Sequence, residues 1–135
     1  MILVDAGPLI ALIDQRDPDH VRCRSLIQSV HTTLITTWPA FTEAMYFLGR
    51  NGWRSQEILW QLAERDELQF AELTDPLRNR SFQLMRTYRN VPMDLADASI
   101  VAVAESRRLW RIFTLDDNFR VYRGLGGESF ELVPP

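Results

Sequence analysis

No lysine occurs in this chain, and all fifteen basic residues are arginine. A compositional bias of the source is the simpler account, although arginine is also the better bidentate partner for phosphate. Cysteine is nearly absent. A lone Cys23 cannot close an intramolecular disulfide. With no basic leader ahead of the first apolar run, this points to a reducing, cytoplasmic setting. Flanked by Arg22 and Arg24, Cys23 reads as a passive helix residue rather than a reactive thiol. Apolar runs are short and broken by charge, which excludes a membrane span. Zinc ligands are scarce, since His20 and His31 have no ligand spacing. A glycine-rich turn after the first strand is missing, because Asp5-Ala6-Gly7-Pro8 offers one glycine followed by proline, so a dinucleotide-binding domain is rejected. A phosphoacceptor receiver domain would need an early acidic pair and a late lysine, and it is rejected too.

What remains is an ordinary globular composition. The chain has 135 residues, the usual size of one domain spanning 1–135, with 46% hydrophobic and 24% charged residues. Residues 1–4 form an apolar run ending at Asp5, and Pro8 starts a helix to Ile13. A second helix is expected from about Asp17 to Ser29. Thr32 to Thr36 reads as a strand. Thr37 caps a helix carrying Glu43 and stopped by Asn51-Gly52, and Ser55 caps another through Arg65. Leu68 to Leu73 is a third strand, and Thr74-Asp75-Pro76 opens a long helix to Arg89. Asp94 starts a helix through Ala104. Trp110 to Thr114 is a fourth strand, followed by Asp116, a short helix over 118–122 and a last strand over 130–133. Strands alternating with helices predict a parallel sheet covered on both faces, an α/β/α sandwich. Ligands in such sheets bind outside the carboxyl ends of the strands.

Four acids follow or interrupt apolar patterns: Asp5, Glu43, Asp97 and Asp116. Each has an ordinary alternative. Asp5 could cap the Pro8 helix. Glu43 could face solvent. Asp94 and Asp97 match a helix N-cap and its N3 position. Asp116-Asp117-Asn118 could be a turn with a cap, a role assigned to Asp117. Joint placement separates the readings, because buried carboxylates repel one another unless a cation lies between them. Oxygen ligands favour Mg²⁺ or Mn²⁺. A net charge of −3 argues against a nucleic-acid partner at first sight, but two divalent cations would turn it into +1.

The segments VDAGPLIAL, FTEAMYFLG, LADASIVAVAE and FTLDDNF resemble, in order and spacing, the PIN-domain nucleases, a group that includes the VapC-type toxins of toxin–antitoxin pairs. The resemblance runs from Met1 to about Tyr122. It implies an α/β/α sandwich and a metal-dependent endoribonuclease cutting single-stranded RNA. Asp5, Glu43, Asp97 and Asp116 fall on the family's catalytic, metal-binding acids. Thr114 matches a hydroxyl beside the site, with Asp94 and Asp117 as further supporting positions. Gly7 departs from the pattern, where many members carry Asn or Ser.

Two metals about 4 Å apart are the expected device, and water attack would leave 5′-phosphate and 3′-hydroxyl ends. Arg120 and Arg123 are the nearest candidates to grip the RNA backbone, and Trp53 is the tryptophan singled out for base stacking. Trp38, Trp60 and Trp110 fit a core or a dimer interface better. A homodimer and an antitoxin are the implied protein partners. A non-catalytic RNA-binding scaffold and a housekeeping RNA-processing nuclease are the competing readings.

Overall fold

The computed structural model describes residues 1–135. Five short strands, β1 (Ile2–Val4), β2 (Leu34–Thr36), β3 (Leu68–Phe70), β4 (Arg111–Phe113) and β5 (Glu131–Val133), form one sheet. Six helices join them: α1 (Ala6–Ile13), α2 (His20–Ser29), α3 (Trp38–Gly49), α4 (Trp53–Glu64), α5 (Asp75–Thr87) and α6 (Leu95–Arg107). A single 3₁₀ turn covers Asp117–Arg120. Every strand pair is parallel, and the order across the sheet is β3-β2-β1-β4-β5.

Alternate strand residues serve opposite faces, as the two-residue pleat requires. Ile2, Val4, Leu34, Phe113 and Val133 pack with Leu9, Phe41, Leu48 and Leu59 of α1, α3 and α4. Leu3, Ile35, Ile112 and Leu132 point the other way, toward Leu84 of α5 and the body of α6. Both faces are therefore covered, which is why the strands read as continuous apolar runs rather than as alternations. In α6, Ala96 through Ala104 are buried without a break. Its alanines let α5 and the sheet approach closely on different sides.

Local starts follow side-chain capping. Thr37 and Thr74 accept from the amides of Ala40 and Leu77, and each is followed within two residues by a proline. Strands are shorter than the apolar runs. Leu68 to Leu73 pairs only over Leu68–Phe70, and Thr32 and Thr33 lie outside β2. The α2 helix begins at His20 rather than Asp17. The α4 helix begins at Trp53 behind Gly52, whose φ of 104° suits a residue without Cβ, so Ser55 is an interior residue and not the cap.

The burial of α6 gives a direct test. Ile100→Ala should destabilise the fold by about 2–5 kcal/mol, read from the urea midpoint at unchanged m.

Candidate active site

The sheet order reverses direction between β1 and β4. From β1 the chain moves outward through β2 and β3, then returns to the other side with β4 and β5. A crevice opens at such a switch point, outside the carboxyl ends of the strands. Val4 pairs with Phe113 across it, and the Asp5 amide donates to the Phe113 carbonyl at 2.9 Å. Asp5 and Thr114, the residues after the two strands, are thereby neighbours. Thr114 Oγ1 donates to Asp5 Oδ2 at 3.1 Å and accepts from the Asp116 amide at 3.0 Å.

The capping and site readings of the acids coincide. Asp5 is the N-cap of α1, with Oδ1 accepting from the Ala6 amide at 2.8 Å. Asp94 is the N-cap of α6 and accepts from the Asp97 amide at 2.8 Å. Asp116, not Asp117, caps the 3₁₀ turn and accepts from the Asn118 amide at 2.9 Å. Each cap engages one carboxylate oxygen and fixes the direction of the other. Asp97 is fixed differently, since Oδ2 accepts from the Tyr122 hydroxyl at 3.1 Å. Glu43 reaches in from α3 and is half-buried.

Together Asp5, Glu43, Asp94, Asp97 and Asp116 line a cleft of about 280 Å³, whose other walls are apolar or small and include no basic residue. Burial is the main force on these carboxyls, and mutual repulsion adds to it. Asp5 is pushed up to about 6 by burial, against the hydrogen bonds from Ala6 and Thr114, with Asp116 and Asp94 raising it further. Asp97 is pushed up to about 8, by burial first and then by Asp94 and Asp5. Burial also raises Glu43, followed by the charges of Asp94, Asp5 and Asp116. The Tyr122 hydroxyl is held protonated by its burial and by Asp97, so it serves as a donor.

A donor set made only of carboxylate oxygen suits a hard divalent cation. No three acidic, histidine or cysteine side chains close into a ready-made cage. Mg²⁺ does not need one, because it keeps several waters and is held by one or two carboxylates. The uncompensated charge and the ligand chemistry fit such an ion, with Asp5, Asp97, Asp116 and Glu43 as holders.

Other singled-out residues lie outside the cleft. Asp117 is exposed and paired with Arg120 at 3.2 Å. Arg123 Nη1 donates to the carbonyls of Arg120 and Tyr122 at 2.6 and 2.8 Å, which secures the end of the 3₁₀ turn. Trp53 is 62% exposed at the start of α4 rather than in a turn, and it is not among the lining residues. Trp110 packs on the core with Phe130. Trp38 is half exposed and stacks on Phe70 at 4.3 Å. His20 contacts the Ala11 carbonyl, and His31 borders a cavity built from α1, α2, α4 and the entry to β2. Cys23 is buried, which pushes its thiol up to about 11 and keeps it inert. Sequence reasoning missed Tyr122 as a partner of Asp97. The signal it could have used is general, since a buried tyrosine seeks a partner for its hydroxyl.

A raised carboxyl pKa means that the folded protein holds a proton the unfolded chain releases. Stability of the metal-free protein should therefore fall as pH rises from about 4 toward about 8, the window between the ordinary Asp97 value and its folded one. Asp97→Asn keeps an oxygen for Tyr122 and removes the charge. It should raise Tm by a few degrees near pH 8.5 in chelator and leave it unchanged near pH 4. Scanning calorimetry at the two pH values measures this, and a lower Tm at pH 8.5 would refute the electrostatic picture.

A sequence profile of the PIN domain family matches residues 2–125. Ribonuclease VapC26 of Mycobacterium tuberculosis is 25% identical over an alignment of 143 positions, covering 98% of this chain and all of the relative. Among solved structures, VapC20 of M. tuberculosis, described as a sarcin–ricin loop cleaving toxin, superposes with a TM-score of 0.83 at 18% identity over 90% of this chain and 94% of its own. A toxin–antitoxin complex from Klebsiella pneumoniae gives 0.65 at 21% identity, covering 86% of this chain and 87% of that one. VapBC2 of Rickettsia felis, bound to a promoter DNA fragment, gives 0.64 at 12% identity and covers 98% of both chains. With the parallel sheet and its acid-lined switch point, these likenesses show that the chain belongs to the PIN domain family.

Proposed function

We propose that this protein is a divalent-metal-dependent endoribonuclease acting on single-stranded RNA, and the toxin of a toxin–antitoxin pair. The observation that carries the reading is the cleft at the β1–β4 switch point, with five carboxylates and no base among its lining residues. A PIN-domain chain with a curated relative described as a ribonuclease supports the same activity. The toxin role draws on the relatives' descriptions, two of which are of toxin–antitoxin assemblies. An antitoxin and a second copy of the chain are the partners this reading implies. No helix is long and apolar enough to cross a membrane, and the reading places the protein in the cytoplasm.

Bound Mg²⁺ or Mn²⁺ supplies activation of water and neutralisation of phosphate charge at the scissile bond. The chain's own side chains do the rest. The Thr114 hydroxyl ties the Asp5 carboxylate to the Asp116 backbone amide, so the two acids are held side by side at the cleft. Tyr122 holds Asp97 by one oxygen and leaves the second free. Glu43, half-buried on α3, can orient water or accept its proton. Ala6, Gly7 and Leu115 form part of the uncharged wall of the cleft.

Cleavage of a structured RNA with single-stranded loops tests the reading. Activity should require Mg²⁺ or Mn²⁺, stop with chelator, and disappear in Asp5→Asn and Asp116→Asn. Products should carry 5′-phosphate and 3′-hydroxyl ends, and 2′,3′-cyclic phosphate would sink water attack. Tyr122→Phe should lower activity or metal affinity by about 10–100-fold, the usual effect of losing a hydrogen bond that orients a ligand. No metal binding and no cleavage by folded protein would favour the non-catalytic RNA-binding scaffold. A gene beside this one encoding a DNA-binding protein favours the toxin over a housekeeping nuclease.

A further inference from the structure

Beside the acid cleft, at the carboxyl ends of β4 and β5, lies a smaller recess of about 160 Å³. Arg22 of α2 and Arg120 of the 3₁₀ turn line it, with Thr114, Asp117 and Pro134. These arginines are almost a hundred positions apart in sequence, so only the fold brings them together. The recess adjoins the site already described. Leu115 lines both spaces, and Thr114, a lining residue of the recess, bonds Asp5 through its hydroxyl.

We propose that this recess binds a backbone phosphate of the RNA strand next to the bond being cut. The proposal rests on the nuclease reading above and adds the group that retains the polyanion. A cleft lined by carboxylates repels a strand, so binding needs cations one step away. The two guanidinium groups are available for this. Arg22 Nη2 donates to the Pro135 carbonyl at 3.1 Å and its Nη1 lies 3.6 Å from Asp19 Oδ1, while Arg120 Nε lies 3.2 Å from Asp117. Their side chains are 52% and 57% exposed, and that of Asp117 is 88% exposed. Exposed pairs of this kind are worth little, and a phosphate offers a guanidinium the better bidentate match. Arg123, close in sequence to Arg120, is engaged elsewhere, by backbone carbonyls. At about 30 Å³ per water, the recess has room for a phosphate group with a few waters.

Two measurements on the full chain test it. In chelator, inorganic phosphate is titrated into ¹⁵N-labelled protein while the arginine Nε–H resonances are followed. Those of Arg22 and Arg120 should shift together and saturate, and the response should be lost in Arg22→Gln and Arg120→Gln. Separately, anisotropy of a labelled single-stranded RNA is read against salt on the Asp5→Asn background, which leaves the RNA uncut. Each arginine removed should lower the slope of log affinity against log salt by about 0.7. Arg78→Gln, on the exposed face of α5, should leave it unchanged. Equal, non-saturating shifts of all exposed arginines, with unaltered slopes in both variants, would overturn the proposal. Metal-dependent cleavage with unaltered slopes would sink the recess alone and leave the nuclease reading standing. Phosphate saturating the pair in a protein that neither binds nor cuts RNA would remove both the nuclease reading and the RNA assignment, leaving an anion site.

Discussion

Parallel pairing of β1 with β4 sets Val4 opposite Phe113, and the residues that follow each strand inherit that register. Asp5 and Thr114 become neighbours, and one hydroxyl then bonds the Asp5 carboxylate and accepts from the Asp116 amide. A slip of one residue at this junction would turn Asp5 toward the opposite face of the sheet. It would also break the contact that aligns β1 with the 3₁₀ turn. The other side chains of the cleft are placed relative to this pair. Helix α6 delivers Asp97 from one side, and α3 delivers Glu43 from the other. The apolar two-faced sheet is thus the frame that fixes a polar site at its edge.

Gathering carboxylates there opposes folding, and the sequence limits the cost locally. Asp5, Asp94 and Asp116 each accept a backbone amide at a helix start. There the aligned peptide dipoles also favour negative charge. These caps hold the acids in place without any neighbouring cation that would compete with a bound metal. Burial still raises Asp5 and Asp97 well above ordinary carboxyl values, so the metal-free site retains protons that an incoming cation would displace. Capping and ligation are therefore not rival explanations of these residues. In Asp94 and Asp116 one oxygen serves the helix start and the other is left over, while in Asp5 the second oxygen accepts from Thr114.

Much of this was legible in the sequence because it depends on local chemistry. Apolar runs located the strands, though not their ends. Thr37, Thr74 and Asp94 marked helix starts, and the alternation of elements gave a parallel sheet. The acids stood at strand ends and helix starts, where such sheets bind ligands. What the sequence could not carry is direction and partnership across long separations. Nothing in a string of residues shows that the Tyr122 hydroxyl meets Asp97, or that Arg22 of α2 faces Arg120. Arg123 lies nearer in sequence to the site than Arg22, yet its guanidinium folds back onto the carbonyls of its own turn. Helix starts were misplaced where the signal is conformational. Gly52 opens α4 through a positive φ, while Ser55 has the side chain of a cap and the position of an interior residue. Strand ends were overestimated because strand-like residues extend beyond the paired ones, Thr32 and Thr33 before β2 and Ala71 to Leu73 after β3.

Charge distribution bears on a polyanionic partner more than net charge does. A chain of net charge −3 looks unsuited to a polyanion, but five of its eighteen acids line a single cleft. These are the acids that a divalent cation would neutralise. Arginines with exposed, weakly held partners lie beside that cleft. Arginines in strong pairs lie away from it, as Arg80 with Glu105 joins α5 to α6. Affinity for a nucleic-acid strand depends on the local pattern within about one Debye length, roughly 10 Å at 0.1 M salt, rather than on the sum over the chain. An acidic protein can therefore hold a negatively charged strand, provided that its acids are concentrated where metal binds and its free arginines stand next to them.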